Sequence, residues 1–377
     1  MDKRLQGGFS LVEILVGLVI GMLAMLAIFQ TLAFFESQRR TTGEGAQMQQ
    51  NGLAALYFLE QDIRLGGFGL IDNGSMPCFN INAYGSPQSI FQSIPARIQD
   101  GGTGSDTLIT ARFDSDTGGI ATGGGRAILA SGVSALPAAI TVDTGEGLKA
   151  NDYILIAQPS LNCSLLQVSS SYAYVPGGNP TSLPVQAVAN AAGTAATPTF
   201  PNYTGSSASP YATIVDLGPT DPFVTSKYYV LNGALVEDDN NTSTPGPLAS
   251  VIVNLQAQYG VAPAGSQSIS CWTDAAGSNC SPASGDWSNP TSADFARIKA
   301  IKIAVVARSD LKEKPSGGAT ACNTATTAPA SWSAVGLPSG SSAPPTIDLS
   351  SDPDWQCYRY KVYSTIIPLR NVIWGNL

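Results

Sequence analysis

From Phe9 to Phe35 the chain is apolar almost throughout, and a single charge, Glu13, interrupts it. The 27 residues of this run, wound as an α-helix at about 1.5 Å each, reach roughly 40 Å, enough to cross a hydrocarbon core of about 30 Å with some tilt. A removable secretory signal has a shorter apolar region, about 7–15 residues, closing on small residues. This run closes on Phe34-Phe35 and then turns polar at Glu36-Ser37-Gln38-Arg39-Arg40, so the segment is expected to stay on the protein as a membrane span. A carboxylate inside such a span costs on the order of 2.5–3.5 kcal/mol near the bilayer centre and less towards its edge. Glu13 therefore needs a positive partner, or must snorkel to the headgroups.

Past the span, residues 37–64 continue as a helix with Leu56, Leu59 and Ile63 on one stripe, weakest at Gly43 and Gly45 and ended by Gly66-Gly67. After Gly67 short apolar runs alternate with Gly, Ser, Asn and Pro, the pattern of antiparallel sheet. The 39 Gly and 25 Pro favour turns over a mainly helical body. Strands are predicted over 107–113, 153–157, 212–217, 251–259, 297–308 and 358–367. A hairpin joins 227–231 to 234–237 through Asn232-Gly233, residues that take positive φ easily. In 297–308, Ile301, Ile303 and Val305 alternate with Lys302 and Ala304, giving one buried and one wetter face. In the last strand Arg359 and Lys361 mark the polar side, and Pro368 stops the ladder. Two stretches rich in Pro, Ala, Thr and Gly, 175–210 and 319–345, read as long surface loops.

Histidine is absent, which removes Ser/His/Asp and Cys/His catalysis and His-ligated zinc or haem. The net charge of −8 and the lack of a basic stripe argue against nucleic-acid binding. All six cysteines, Cys78, Cys163, Cys271, Cys280, Cys322 and Cys357, follow the apolar run and form no CxxC pair, so they read as disulfide partners in an oxidising compartment. Proximity suggests Cys271–Cys280, and expected sheet neighbours suggest Cys78–Cys163 and Cys322–Cys357. Two acidic clusters, Asp114-Ser115-Asp116 and Glu237-Asp238-Asp239-Asn240-Asn241, offer oxygen ligands but lack the spacing of a calcium loop. They read as solvated turns, and the Gly-rich stretch from Thr122 to Arg126 reads as a turn too, so no metal or other cofactor is expected.

Lys3-Arg4, Gly7-Gly8, Phe9 and Ser10-Leu11-Val12-Glu13 followed by an unbroken apolar helix closely resemble the class III prepilin leader shared by type IV pilins and type II secretion pseudopilins. The resemblance implies cleavage between Gly8 and Phe9 by a prepilin peptidase, N-methylation of Phe9, and pairing of Glu13 with the amino terminus of a neighbouring subunit. Further segments resemble one minor-pilin family, PilW: SDTLITARF, KANDYILIAQPSLNC, KYYVLNGALVE, VNLQAQYGV, the run from Trp287 to Arg308, and the ending YRYKVYSTIIPLRNVIW. In that ending the order before Pro368-Leu369-Arg370-Asn371 follows from no general strand rule.

The expected fold is α+β and pilin-like: a long N-terminal helix packed on an antiparallel sheet domain with long loop insertions. Its divisions are a leader at 1–8, a transmembrane half-helix at 9–36, a periplasmic half-helix at 37–67 and a β-rich periplasmic domain at 68–377. Charge alone leaves the orientation open, because Lys3-Arg4 on one flank match Arg39-Arg40 on the other; the leader and the cysteines place the body in the periplasm. The implied role is that of a non-enzymatic minor pilin at the pilus tip that primes assembly and so supports adhesion and twitching motility. Its partners would be other minor pilins, the major pilin, the prepilin peptidase and the inner membrane, with a large tip adhesin as a further candidate. Two rivals remain at this stage: a minor pseudopilin of type II secretion, and a membrane-tethered periplasmic enzyme or binding module.

Overall fold

The computed structural model describes residues 10–70, 78–85, 88–113, 126–177, 181–188, 194–220, 223–239, 245–315 and 320–374. One helix spans Leu11–Leu65. Ser10 opens it in extended backbone with its Oγ accepting the Val12 amide, which satisfies one of the free donors of the first turn. Gly43 and Gly45 lie inside the helix without breaking it. Residues 10–36 are exposed along their whole length, and the first buried side chain among the described residues is that of Glu44. The helix thus has a bare half and a packed half.

Two of the three sheets receive the packed half. A four-stranded antiparallel sheet runs Cys271–Thr273, Ile252–Val261, Ile298–Arg308, Tyr360–Pro368. A five-stranded one runs Gly246–Ser250, Ala234–Asp239, Phe223–Leu231, Thr107–Phe113, Ala96–Gln99. Met48, Ala55, Leu59 and Ile63 of the helix share one core with Leu255, Ile301, Ile303 and Val305 of the first sheet and Ile98, Leu108 and Leu235 of the second. The expected stripe is therefore a packing stripe, with Leu59 and Ile63 fully buried and Leu56 partly so. Burying a Leu or Ile side chain contributes about 1.5–3 kcal/mol.

At Gly52 the helix lies close against the sheet: a side chain there would overlap the ring of Tyr363. The helix ends at Gly66, and the amide of Gly67, at φ +77°, donates to Ala111 O at 2.8 Å. This turns the chain directly onto the strand Thr107–Phe113. Asp106, just before that strand, bridges the two sheets. Its amide donates to Leu255 O at 2.8 Å, and its buried carboxylate accepts the amides of Gly101 at 2.8 Å and Ala257 at 2.7 Å.

The third sheet has nine strands. Its main path runs Thr194–Ala195, Ser89–Gln92, Asn80–Ala83, Cys163–Val168, Tyr153–Ala157, Thr213–Gly218, Arg126–Ile128, and Thr181–Gln186 links Cys163–Val168 to Ala139–Val142. Phe91 and Phe113 each lie against Phe223, at ring separations of 4.9 and 5.7 Å, which docks this sheet on the five-stranded one. The pairing of Asn80–Ala83 with Cys163–Val168 is parallel, a departure from the antiparallel expectation. The long connection between these strands permits it, and the Cys78–Cys163 disulfide fixes it.

The other two disulfides are Cys271–Cys280 and Cys322–Cys357, so the pairing is the one suggested by proximity and sheet neighbours. The predicted strands are present to within about two residues at each end, except that the first hairpin strand already begins at Phe223, and Leu231 pairs with Ala234 across Asn232-Gly233. Arg297 and Arg359 are corrections: Arg297 ends a short helix, Ser292–Arg297, and Arg359 precedes its strand. Neither low-complexity stretch is simply a surface loop. Residues 175–210 supply two strands and bury Leu183, Val185 and Tyr203. Residues 331–349 lie across the outer face of the four-stranded sheet, where Ser342 N donates to Trp272 O at 2.8 Å and Gln258 Nε2 to Ala343 O at 2.8 Å. This cover explains why Ala304, expected on a wetter face, is fully buried.

Two predictions follow the packing. Gly52→Ala should cost about 1–3 kcal/mol through overlap with Tyr363, outweighing the gain of about 1 kcal/mol in helix propensity; thermal unfolding that shows equal or higher stability would refute the close approach. Burial, reinforced by Asp100 and Asp274 against the two backbone amides, pushes the Asp106 carboxyl up to about 7 from 3.8. A raised carboxyl favours the folded state below the unfolded value and loses that contribution as pH rises through the folded one. The unfolding midpoint should therefore fall between about pH 4 and pH 7, with a flatter profile in Asp106→Asn; identical slopes would exclude Asp106 as the cause.

Candidate functional site

The feature that sets this chain apart is the bare half of the helix. Leu11, Val12, Ile14 and Leu15 are 54–75% exposed, and the large apolar side chains onward to Phe35 are similarly bare. Glu13 stands in the first turn with its amide donating to Ser10 O at 2.9 Å. Unpaired amides at a helix start favour a carboxylate by up to about 1 kcal/mol. That does not offset the cost of an acid in lipid. Among the described residues Glu13 has no ionic partner. Arg39, the first basic residue after it, stands 26 positions further along, about 39 Å away on a helix. Gly8 and Phe9 lie outside the described residues.

Gly17 and Gly21, one turn apart, have nothing of their own chain within 4 Å of where a side chain would stand. Their spacing is the small-xxx-small pattern that lets membrane helices approach closely, a signal present in the sequence that the apolar run alone does not reveal. The bare half can bury its surface only in lipid or against other helices.

Two polar nodes hold this helix to the body. At the neck, Arg40 Nε donates to Glu44 Oε1 at 3.1 Å, and Arg40 Nη2 donates to Lys312 O at 3.1 Å. Deeper, Asp62 Oδ2 accepts from Tyr228 OH at 2.7 Å, Arg112 Nη1 at 3.0 Å and Thr110 Oγ1 at 3.3 Å. The Tyr228 hydroxyl also lies 3.0 Å from Glu237 Oε1. Burial, then the two carboxylates beside it, drives the Tyr228 phenol well above its ordinary range, so it stays protonated as a donor between them. Glu237, expected in a solvated turn, is thus part of an internal network.

The end of the helix is held by the segment whose order no strand rule explained. Asn371 Nδ2 faces the carbonyls of Arg64, Leu65 and Gly66 at 3.5, 3.3 and 3.0 Å. Helix ends leave such carbonyls without partners. Pro368 closes the ladder opposite Ala300, Leu369 enters the core, and the short helix Arg370–Trp374 presents Asn371 to the long helix.

The cysteines lie in the body, away from Glu13, and act as staples. Asp114-Ser115-Asp116 falls outside the described residues, as do Asn240, Asn241 and residues 122–125 of the Gly-rich stretch. Among the described residues no three Cys, Asp or Glu side chains come together as metal ligands.

Two family models match the chain. One, described as type IV pilus-assembly protein W, covers residues 224–371 and so includes Tyr228, Glu237 and Asn371. The other, the prokaryotic N-terminal methylation motif, covers residues 3–29, with Gly8, Phe9, Glu13, Gly17 and Gly21. No curated protein and no solved structure matches the chain.

Removing the Asn371 amide should leave the last carbonyls of the long helix short of a donor. Asn371→Ala is expected to cost about 0.5–1.5 kcal/mol and to speed amide exchange in residues 60–70. Unchanged protection there would show that the contact carries no weight.

Proposed function

We propose that the chain, which matches the type IV pilus-assembly protein W model over residues 224–371 and the N-terminal methylation motif over residues 3–29, is a PilW-type minor pilin, built into the tip of the filament through its bare half-helix and priming assembly there. The observation that carries this reading is Glu13: an acid on a helix of membrane-spanning length, paired with no cation among the described residues of its own chain. Cleavage between Gly8 and Phe9 would create a free amine on Phe9 and make Glu13 the fifth residue of the mature chain. On a neighbouring subunit that amine is the partner the carboxylate lacks, since two opposite charges buried together are tolerated where either alone is costly.

In this proposal the protein does no chemistry of its own. The bare half-helix anchors it in the inner membrane before assembly, and the three disulfides favour a body on the periplasmic side, where such bonds persist. A body of three sheets with a sequence-poor cover segment suits a subunit used sparingly better than one repeated along a thin filament. Its neighbours are other pilus components; among them we place further minor pilins, the major pilin and a tip adhesin.

In a strain whose only copy carries Glu13→Ala, surface pili should fall in number and the protein should remain in the membrane fraction, absent from sheared filaments, while type II secretion of enzymes continues. Glu13→Asp should restore part of the incorporation. Normal incorporation of Glu13→Ala, or a secretion block with normal piliation, would count against the proposal.

A further inference from the structure

We propose that the cavity beside Lys299, at the end of the four-stranded sheet remote from the bare half-helix, binds the carboxylate of a polypeptide. The location follows from the register: the strand Tyr360–Pro368 runs from the neck towards Asn371 at the end of the long helix, and Ile298–Arg308 lies antiparallel to it. Lys299 is therefore at the far end of the body.

The cavity, about 660 Å³, is lined by Gln267, Ala283, Ala293, Ala296, Arg297 and Lys299. The alanines leave it open, and the exposed loop at Ala264 and Gly265 forms its rim. Lys299 is only 2% exposed, and its Nζ donates to Ala296 O at 2.8 Å. An ammonium has three donors, so the carbonyl leaves most of its capacity unused. Among the described residues no carboxylate pairs with it. The nearby acid, Asp294, is already committed: its oxygens accept from the amides of Ala283, Ser284 and Thr291 and from the Thr291 hydroxyl, and it lies 3.9 Å from Arg297 Nη1. Arg297 in turn donates to the carbonyls of Ala262, Cys280 and Ser281.

One cation is thus left over at the wall of a cavity. A buried charge without a counter-ion is costly, and burial holds the Lys299 ammonium below its ordinary range. An anion entering the cavity removes that cost. The volume is far larger than a monatomic ion needs and falls in the range of organic ligands. Gln267 Oε1 is buried without a hydrogen-bond partner and offers an acceptor for an N–H group. A carboxylate with an amide N–H nearby describes a polypeptide terminus or an acidic residue. The binding chemistry stands apart from the pilin reading; only the supply of that carboxylate by a neighbouring pilus component rests on it.

Calorimetric titration of the full-length protein in detergent micelles, at constant ionic strength, tests this with three peptides. They are acetyl-Gly-Ala with a free carboxylate, its amide, and acetyl-Gly-Glu-Ala amide. Binding of the free acid alone assigns a chain terminus, and binding of the Glu peptide assigns an acidic side chain. The neutral amide should not bind. Lys299→Met should weaken binding at least about tenfold without lowering the unfolding midpoint, and Gln267→Ala should weaken it less. Gln267→Ala leaves the buried lysine in place and so reports even where Lys299→Met folds poorly. Equal binding of acid and amide, full affinity in Lys299→Met, or no binding by any of the three would overturn the proposal. None of these outcomes bears on filament insertion, which the Glu13 variants read separately.

Discussion

A carboxylate placed one turn into a lipid-length helix, with no cation within reach among the described residues, is the constraint on which the rest of this molecule depends. Left alone in the bilayer it costs on the order of a few kcal/mol; paired with an amine from another subunit, as proposed, it would be a registration point between helices. The bare surface around it serves the same end, because side chains that pack against nothing in their own chain are free to bury themselves elsewhere. Gly17 and Gly21 add a strip where another backbone can come close.

A helix that is to carry a body must be firmly rooted in it, and the magnitudes show what does the rooting. The neck pair Arg40–Glu44 is half exposed at its Arg and of a kind worth about 0–1 kcal/mol. Met48, Ala55, Leu59 and Ile63 are buried against two sheets at once, and their burial sums to several times that figure. Packing therefore holds the helix, while the Asp62 node and the Asn371 cap fix its rotation and its end. The disulfides act on a different part of the problem. Each contributes about 2–4 kcal/mol by restricting the unfolded chain, and Cys322–Cys357 tethers the segment that covers the outer sheet face.

Much of this was legible in the residues. The apolar run, the stripe at Leu56, Leu59 and Ile63, the Gly66-Gly67 stop and the Asn232-Gly233 hairpin each depend on local chemistry that neighbouring positions declare. What escaped was non-local. Pro, Ala, Thr and Gly over 175–210 carry no alternation of their own, yet the strand Thr181–Gln186 forms because two other strands offer it partners. Ala304 seemed to face water because the cover that buries it lies about 30 residues away in the chain. Pro368-Leu369-Arg370-Asn371 resisted any strand rule because its job is to cap a helix 305 residues earlier. Lys299 gave no sign at all, since a lysine in a strand ordinarily reads as a solvated face.

The most direct test of the central claim is mass spectrometry of the protein's amino terminus in sheared filaments. A mature peptide beginning at N-methylated Phe9 is the predicted result, because in the proposed assembly a processed terminus supplies each Glu13 with a neighbouring amine. A chain recovered there with Met1 and its leader intact would contradict the account at its root.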